Sequence, residues 1–284
     1  MAPKKQKNRT RNWQPRKDAR KPEFLGKPGH RSPQPGLFWI YGFHAARAAL
    51  FNPARSVAKI VASPRAVAEL GVALPADLAV EPAEAEAITK LVPTGAVHQG
   101  IALLCEPLNA ISLEQTLESL PAGQRLVAVL DQITDPHNEG AILRTAAAFG
   151  VDAIIVQNRH APPESGALAK AASGALDIVP RISVVNIART LKDLGRMNFW
   201  RIALAGDAEQ TMKQAACEGD IAIVLGAEGS GIRRLVREAC DVSAAIPMNG
   251  TMASLNVSNA AAVALYELRR RNAFKSSEKN LSEK

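Results

Sequence analysis

Between residues 125 and 248 the apolar residues fall into short unbroken runs, and the segments between the runs repeat their apolar positions three and four residues apart. The runs are RLVAVLD (125–131), DAIIVQ (152–157), RIALAG (201–206), IAIVLG (221–226) and SAAIPM (243–248). Continuous apolar segments of this length read as strands buried on both faces. The intervening segments, at about 139–149, 164–174, 186–196, 231–239 and 257–272, read as helices. This alternation predicts a mainly parallel sheet covered on both sides, and such sheets bind ligands in the loops beyond the carboxyl ends of their strands.

A smaller α/β layer precedes it. FWIYG (38–42) reads as a strand, HAARAALF (44–51) as a helix, SVAKIVAS (56–63) as a strand and PRAVAELG (64–71) as a helix. A Glu/Ala-rich helix from about Glu81 to Val92 and a strand at QGIALLCEP (99–107) complete it. The chain thus divides into a small α/β domain over 37–107, a larger α/β domain over 112–275 and a polar end at 276–284 that is expected to be disordered. No internal repeat is visible.

Charge changes the picture at the N-terminus. Residues 1–36 hold eleven Lys and Arg against Asp18 and Glu23, and the other 248 residues hold 24 basic and 25 acidic side chains. The excess positive charge therefore belongs to one segment, which also has six Pro and few aliphatic residues. Such a segment buries too little apolar surface to offset its ordering entropy, so it reads as a disordered basic tail. Basic tails of this kind bind nucleic acid through its phosphates.

Several classes are disfavoured. No apolar stretch is long enough to span a membrane, and no apolar core of a secretory signal follows the N-terminal charges, which points to a cytoplasmic protein. Cys105, Cys217 and Cys240 are far apart and share no ligand spacing with His, so neither a disulfide framework nor a metal site is expected.

Three polar loops fall at predicted strand ends. After RLVAVLD comes QITDPHNEGAILRTAAAFG, in which Asp135, Pro136 and Asn138 lead into a helix with Asn138 as its cap, and Arg144 stands among alanines and leucines. After IAIVLG comes AEGSGIRRL, where Gly226, Gly229 and Gly231 reverse the order of a dinucleotide fingerprint but leave open backbone beside Glu228, a potential acceptor for hydroxyls. The third is IPMNGTMASLNVSNAAA (246–262), whose Ser254 and Asn256 supply uncharged donors and acceptors ahead of a helix. With no Ser/His/Asp order and no metal cluster, three such loops indicate group transfer from a bound small molecule.

At these residues the chain resembles a known family. DPHNEGAILRTAAAFG, IVLGAEGSGI and IPMNGTMASLNVSNAAAVALYE are similar, in order and separation, to the three motifs of the SpoU or TrmH class of SPOUT RNA 2′-O-ribose methyltransferases, over residues 125–272. WIYGFHAARAAL and VHQGIAL (97–103) resemble the substrate-binding domain of the bacterial 23S ribosomal RNA guanosine 2′-O-methyltransferase subgroup.

The resemblance implies a C-terminal trefoil knot, a homodimer, S-adenosylmethionine as methyl donor and ribosomal RNA as substrate. By the same resemblance Gly226, Glu228, Ile246, Met248 and Leu255 hold the cofactor, while Arg144, Asn138, Ser254 and Asn256 serve the chemistry. A guanidinium is a poor base, so Arg144 is expected to stabilise the developing oxyanion or an adjacent phosphate. The alternatives are a transfer RNA 2′-O-methyltransferase of the same class and a non-catalytic ribosome-assembly factor.

Overall fold

The computed structural model describes residues 36–71, 78, 80–215, 218–250 and 254–282. The basic tail therefore lies, but for Gly36, outside the described residues, as do Thr251, Met252 and Ala253 of the third loop.

A four-stranded sheet comes first, formed by β1 (Phe38–Tyr41), β2 (Val57–Ala62), β3 (Val80–Pro82) and β4 (Ile101–Cys105) in the order β1-β4-β2-β3. Helices α1 (Phe43–Phe51), α2 (Pro64–Leu70) and α3 (Ala85–Thr89) connect these strands. The long helix expected from Glu81 to Val92 is corrected here. VEP pairs with β2 as an edge strand, where Pro82 costs no ladder bond, and only a short helix follows.

Beyond α4 (Leu113–Glu118) lies a wholly parallel seven-stranded sheet. Its strands are β5 (Leu126–Asp131), β6 (Ala153–Gln157), β7 (Arg181–Val184), β8 (Trp200–Leu204), β9 (Gln210–Thr211), β10 (Ile221–Gly226) and β11 (Val242–Ala245). They run in the order β7-β6-β5-β10-β8-β11-β9. The helices are α5 (Pro136–Ala148), α6 (Gly166–Ala172), α7 (Ile187–Arg196), α8 (Met212–Ala215), α9 (Arg234–Arg237) and α10 (Val257–Ser282). β5 is buried along its whole length and β10 up to its last residue, as central strands covered on both faces must be.

Three details depart from the sequence reading. Asn138 does not cap α5; Asp135 does, accepting the His137 N–H at 2.9 Å, with Pro136 in the first turn. The helix expected at 231–239 shrinks to α9 because Arg233 is tied to the end of β5. α10 runs to Ser282 where a disordered end was expected from 276, since no Gly or Pro follows Gly250 to stop it.

The two sheets share one apolar core that runs from Ile40 and Ile60 to Ile142 and Leu168. At the seam Arg55 is buried, its Nε 2.7 Å from Asp177 Oδ1 and its Nη1 2.7 Å from Glu164 Oε2 and 2.9 Å from the Glu106 carbonyl. Gly166 of α6 lies so close to the Trp39 carbonyl and the Tyr41 ring that no side chain fits there. Among the described residues no helix is long and apolar enough to cross a membrane.

Candidate functional site

The carboxyl ends of β8, β10 and β11 open onto a cleft of about 830 Å³, a size suited to a nucleoside-containing cofactor. The loop after β10 forms one wall. Gly226 packs flush beneath the Gly231 and Ile232 backbone, leaving no room for a Cβ, and Gly229 and Gly231 take positive φ angles of 80° and 66°. This loop folds back on itself, with Gly231 N–H bonded to the Ala227 carbonyl at 2.9 Å, so the glycines serve a tight reversal and keep Glu228 at its outer edge.

The opposite wall comes from the third loop. Ile246, Met248, Ser254, Leu255 and Asn256 all face the cleft. Met248 is 38% and Leu255 40% exposed, an arrangement that leaves apolar surface uncovered in a concave site rather than in the core. Every residue expected to touch the cofactor thus lines one cavity.

A hydrogen-bonded cluster joins residues from all three loops. Asn138 Nδ2 donates to Glu228 Oε1 at 3.0 Å, and Asn256 Nδ2 donates to the same oxygen at 2.5 Å. Asn256 Nδ2 also reaches Asn138 Oδ1 at 2.9 Å. The free Asn256 Oδ1 accepts the Ser258 N–H at 2.9 Å, capping α10. One carboxylate is therefore the shared acceptor for two amides brought from positions 118 residues apart.

Arg144 lies elsewhere. It is exposed on α5, makes no hydrogen bond or ion pair among the described residues and does not line the cleft. Six residues beyond Asn138, it stands about 9 Å further along the helix axis.

Sequence reasoning missed the wall supplied by Leu204, Ala205, Gly206 and Asp207 after β8. Asp207 Oδ2 accepts from Arg237 Nη1 at 2.8 Å, and that guanidinium holds its carboxyl below the usual range. The only signal was a Gly-Asp pair at a strand end. Burial pushes the Cys105 and Cys240 thiols up to about 12, so neither is set up as a nucleophile. Among the described residues no group of His, Cys, Asp and Glu could hold a metal ion.

Residues 125–266 match the model of the SpoU rRNA Methylase family. The Ralstonia nicotianae 23S rRNA (guanosine-2′-O-)-methyltransferase RlmB is 42% identical over 234 residues, which cover 80% of this chain and 93% of that protein. A solved RNA 2′-O ribose methyltransferase superposes with a TM-score of 0.70 at 25% identity, over 84% of this chain and 90% of the other. The fold is shared by the SpoU methyltransferase AviRb from Streptomyces viridochromogenes, solved in complex with AdoMet (TM-score 0.70, 21% identity, 84% and 91% covered).

Proposed function

The chain belongs to the SpoU rRNA methylase family, and we infer that it transfers the methyl group of S-adenosylmethionine to a ribose 2′-hydroxyl of a guanosine in 23S ribosomal RNA. The observation that carries this reading is the Asn138–Glu228–Asn256 cluster at the end of a cleft with apolar walls. The residues present fit the cofactor: Ile246, Met248 and Leu255 offer an apolar surface to an adenine ring, and the 226–231 backbone offers polar groups at its edge.

When bound, the cofactor supplies an electrophilic methyl group on a cationic sulfur. The chain supplies position and charge. Glu228, held at Oε1 by two amides, keeps Oε2 for a further donor, and Ser254 and Asn256 fix the orientation of the incoming ribose. Arg144, with no ion pair among the described residues, is available to an RNA phosphate or to the oxygen as it loses its proton. The C-terminal trefoil knot is carried over from the resemblance to the family as part of this reading.

We read the protein as a cytoplasmic homodimer. Val263 and Tyr266 are exposed one turn apart on α10, an apolar stripe suited to a second copy. The small α/β domain over 37–107 is read as the RNA-selecting part, fixed to the catalytic part through Arg55.

Incubating the protein with radiolabelled S-adenosylmethionine and unmethylated 23S rRNA transcript tests the reading. Label should appear at one guanosine as a 2′-O-methyl group resistant to alkaline cleavage. Label on transfer RNA alone, or on a base, would overturn it.

A further inference from the structure

Asp131, the last residue of β5, is fully buried and pairs in register with Gly226. One of its carboxylate oxygens accepts the Arg233 backbone N–H at 2.9 Å, and the other accepts Arg233 Nε at 2.8 Å. Arg233 Nη2 continues to Gln157 Oε1 at 2.8 Å, at the end of β6. The guanidinium is thereby fixed across the carboxyl ends of two neighbouring strands while its side chain stays 38% exposed. Its Nη1 has no partner among the described residues. A cation braced from behind by a buried carboxylate, with a free donor facing outward, is set up for an acceptor in solution.

A second observation lies beside it. Gln157 also opens a turn, its carbonyl accepting the N–H groups of His160 at 3.1 Å and Ala161 at 2.9 Å, which places Arg159 and His160 exposed at the tip. Arg159 has no ion pair among the described residues, whereas Arg125, Arg181, Arg201 and Arg237 each hold a carboxylate. Beyond residue 36 the chain carries as many acids as bases to within one, so the exposed Arg159 and the free Nη1 donor of Arg233 form a local feature. It borders the cleft, because Ile232, the neighbour of Arg233, lines it.

We propose that Arg233, Arg159 and His160 form a ledge that binds the phosphodiester backbone of the substrate RNA and leads the strand to the mouth of the cleft, with Asp131 and Gln157 as positioning residues. The proposal rests on the RNA-methylation reading above. Contacts of this kind set register and orientation on the nucleic acid without reading bases, and the planar Arg fork suits them better than an ammonium.

The test measures filter binding of an unmethylated 23S rRNA transcript across a salt series, with cofactor affinity by calorimetry, for the full-length protein and three variants. Arg159→Ala removes an exposed side chain that has no ion pair among the described residues. Arg233→Ala keeps its backbone bond to Asp131, and Arg233→Lys keeps the charge. Arg159→Ala and Arg233→Ala should each weaken RNA binding several-fold and lower the slope of log affinity against log salt by about one phosphate contact, with cofactor affinity unchanged. Arg233→Lys should recover part of the loss. The ledge is refuted if Arg159→Ala leaves affinity and slope unchanged, or if Arg233→Ala alters cofactor affinity but not RNA affinity, which would make Arg233 only a pin for the Glu228 loop. A wild-type protein that neither binds nor methylates the transcript would sink the methylation reading itself and the ledge with it.

Discussion

Asn256 donates through one nitrogen to Glu228 at 2.5 Å and to Asn138 at 2.9 Å, and through its oxygen caps α10. A single amide thus joins the chemistry of the site to the start of the longest helix. Replacing Asn256 with Ala should cost about 1 kcal/mol of stability from the lost cap and at least about tenfold in turnover. Asn256→Asp retains the cap but sets a second carboxylate against Glu228. It should keep the melting temperature while losing turnover, and equal losses of both in the two variants would show that the effect is only structural.

Arg144→Lys keeps the charge and loses the planar fork. Turnover on rRNA should fall by roughly two orders of magnitude while cofactor affinity stays the same, since Arg144 does not line the cleft. A Lys variant with near-normal rates would contradict the role given to the guanidinium.

The seam between the two sheets depends on Arg55. Arg55→Ala leaves Asp177 and Glu164 without their cation in a buried setting and should destabilise the fold by about 3–5 kcal/mol. Calorimetry should show one transition in the wild type. In the variant the transition should move down, with the small α/β layer melting first if the ion cluster is what joins it to α6.

Acid sensitivity has an identifiable contributor. Arg201 holds the Asp241 carboxyl below its ordinary value by direct hydrogen bonds at 2.6 and 2.9 Å. A depressed folded value means that this stabilisation is present above the unfolded value of about 3.9 and is lost as pH falls through the folded one. Glu139 acts in the opposite sense, because burial raises its carboxyl against the pull of Arg181. Denaturant unfolding between pH 2.5 and pH 6 should therefore show a shallower acid loss in Asp241→Asn than in the wild type, from a lower starting stability.

Removal of residues 1–36 deletes all of the excess positive charge. RNA affinity should drop and its salt dependence should flatten, with cofactor affinity unchanged. An unaltered salt slope would leave the segment no part in RNA binding.

What could be read in advance followed burial. β5, β6 and β10 lie within a residue of their apolar runs because both faces are covered, so nothing polar interrupts them. β7 went unseen because RISV follows a proline, buries only Ile182 fully and gives up Arg181 to an ion pair with Glu139. The cleft residues of the second and third loops could be named from the sequence, but the wall at Leu204–Asp207 and the Asn138–Glu228–Asn256 bonds could not, the bonds because each joins segments distant in sequence. The same holds for the Arg55 cluster, whose partners lie 109 and 122 residues away, and for Asp131, whose apolar strand disguised a charge that reaches across to Arg233.

The strand order also governs how the chain assembles. β5 finds β6 soon after it is made, but its other edge waits for β10, with Leu126 pairing with Ile221 only after β6, β7 and β8 have been formed. Until then a strand that is fully buried in the finished fold has one open side, and the loop-closure cost of filling it falls late. During synthesis, therefore, the β5 and β8 sides of the sheet stay apart until β10 enters between them, and the strand that joins them is the one that ends in the Glu228 loop. The strand that joins the two sides of the sheet also delivers one wall of the site.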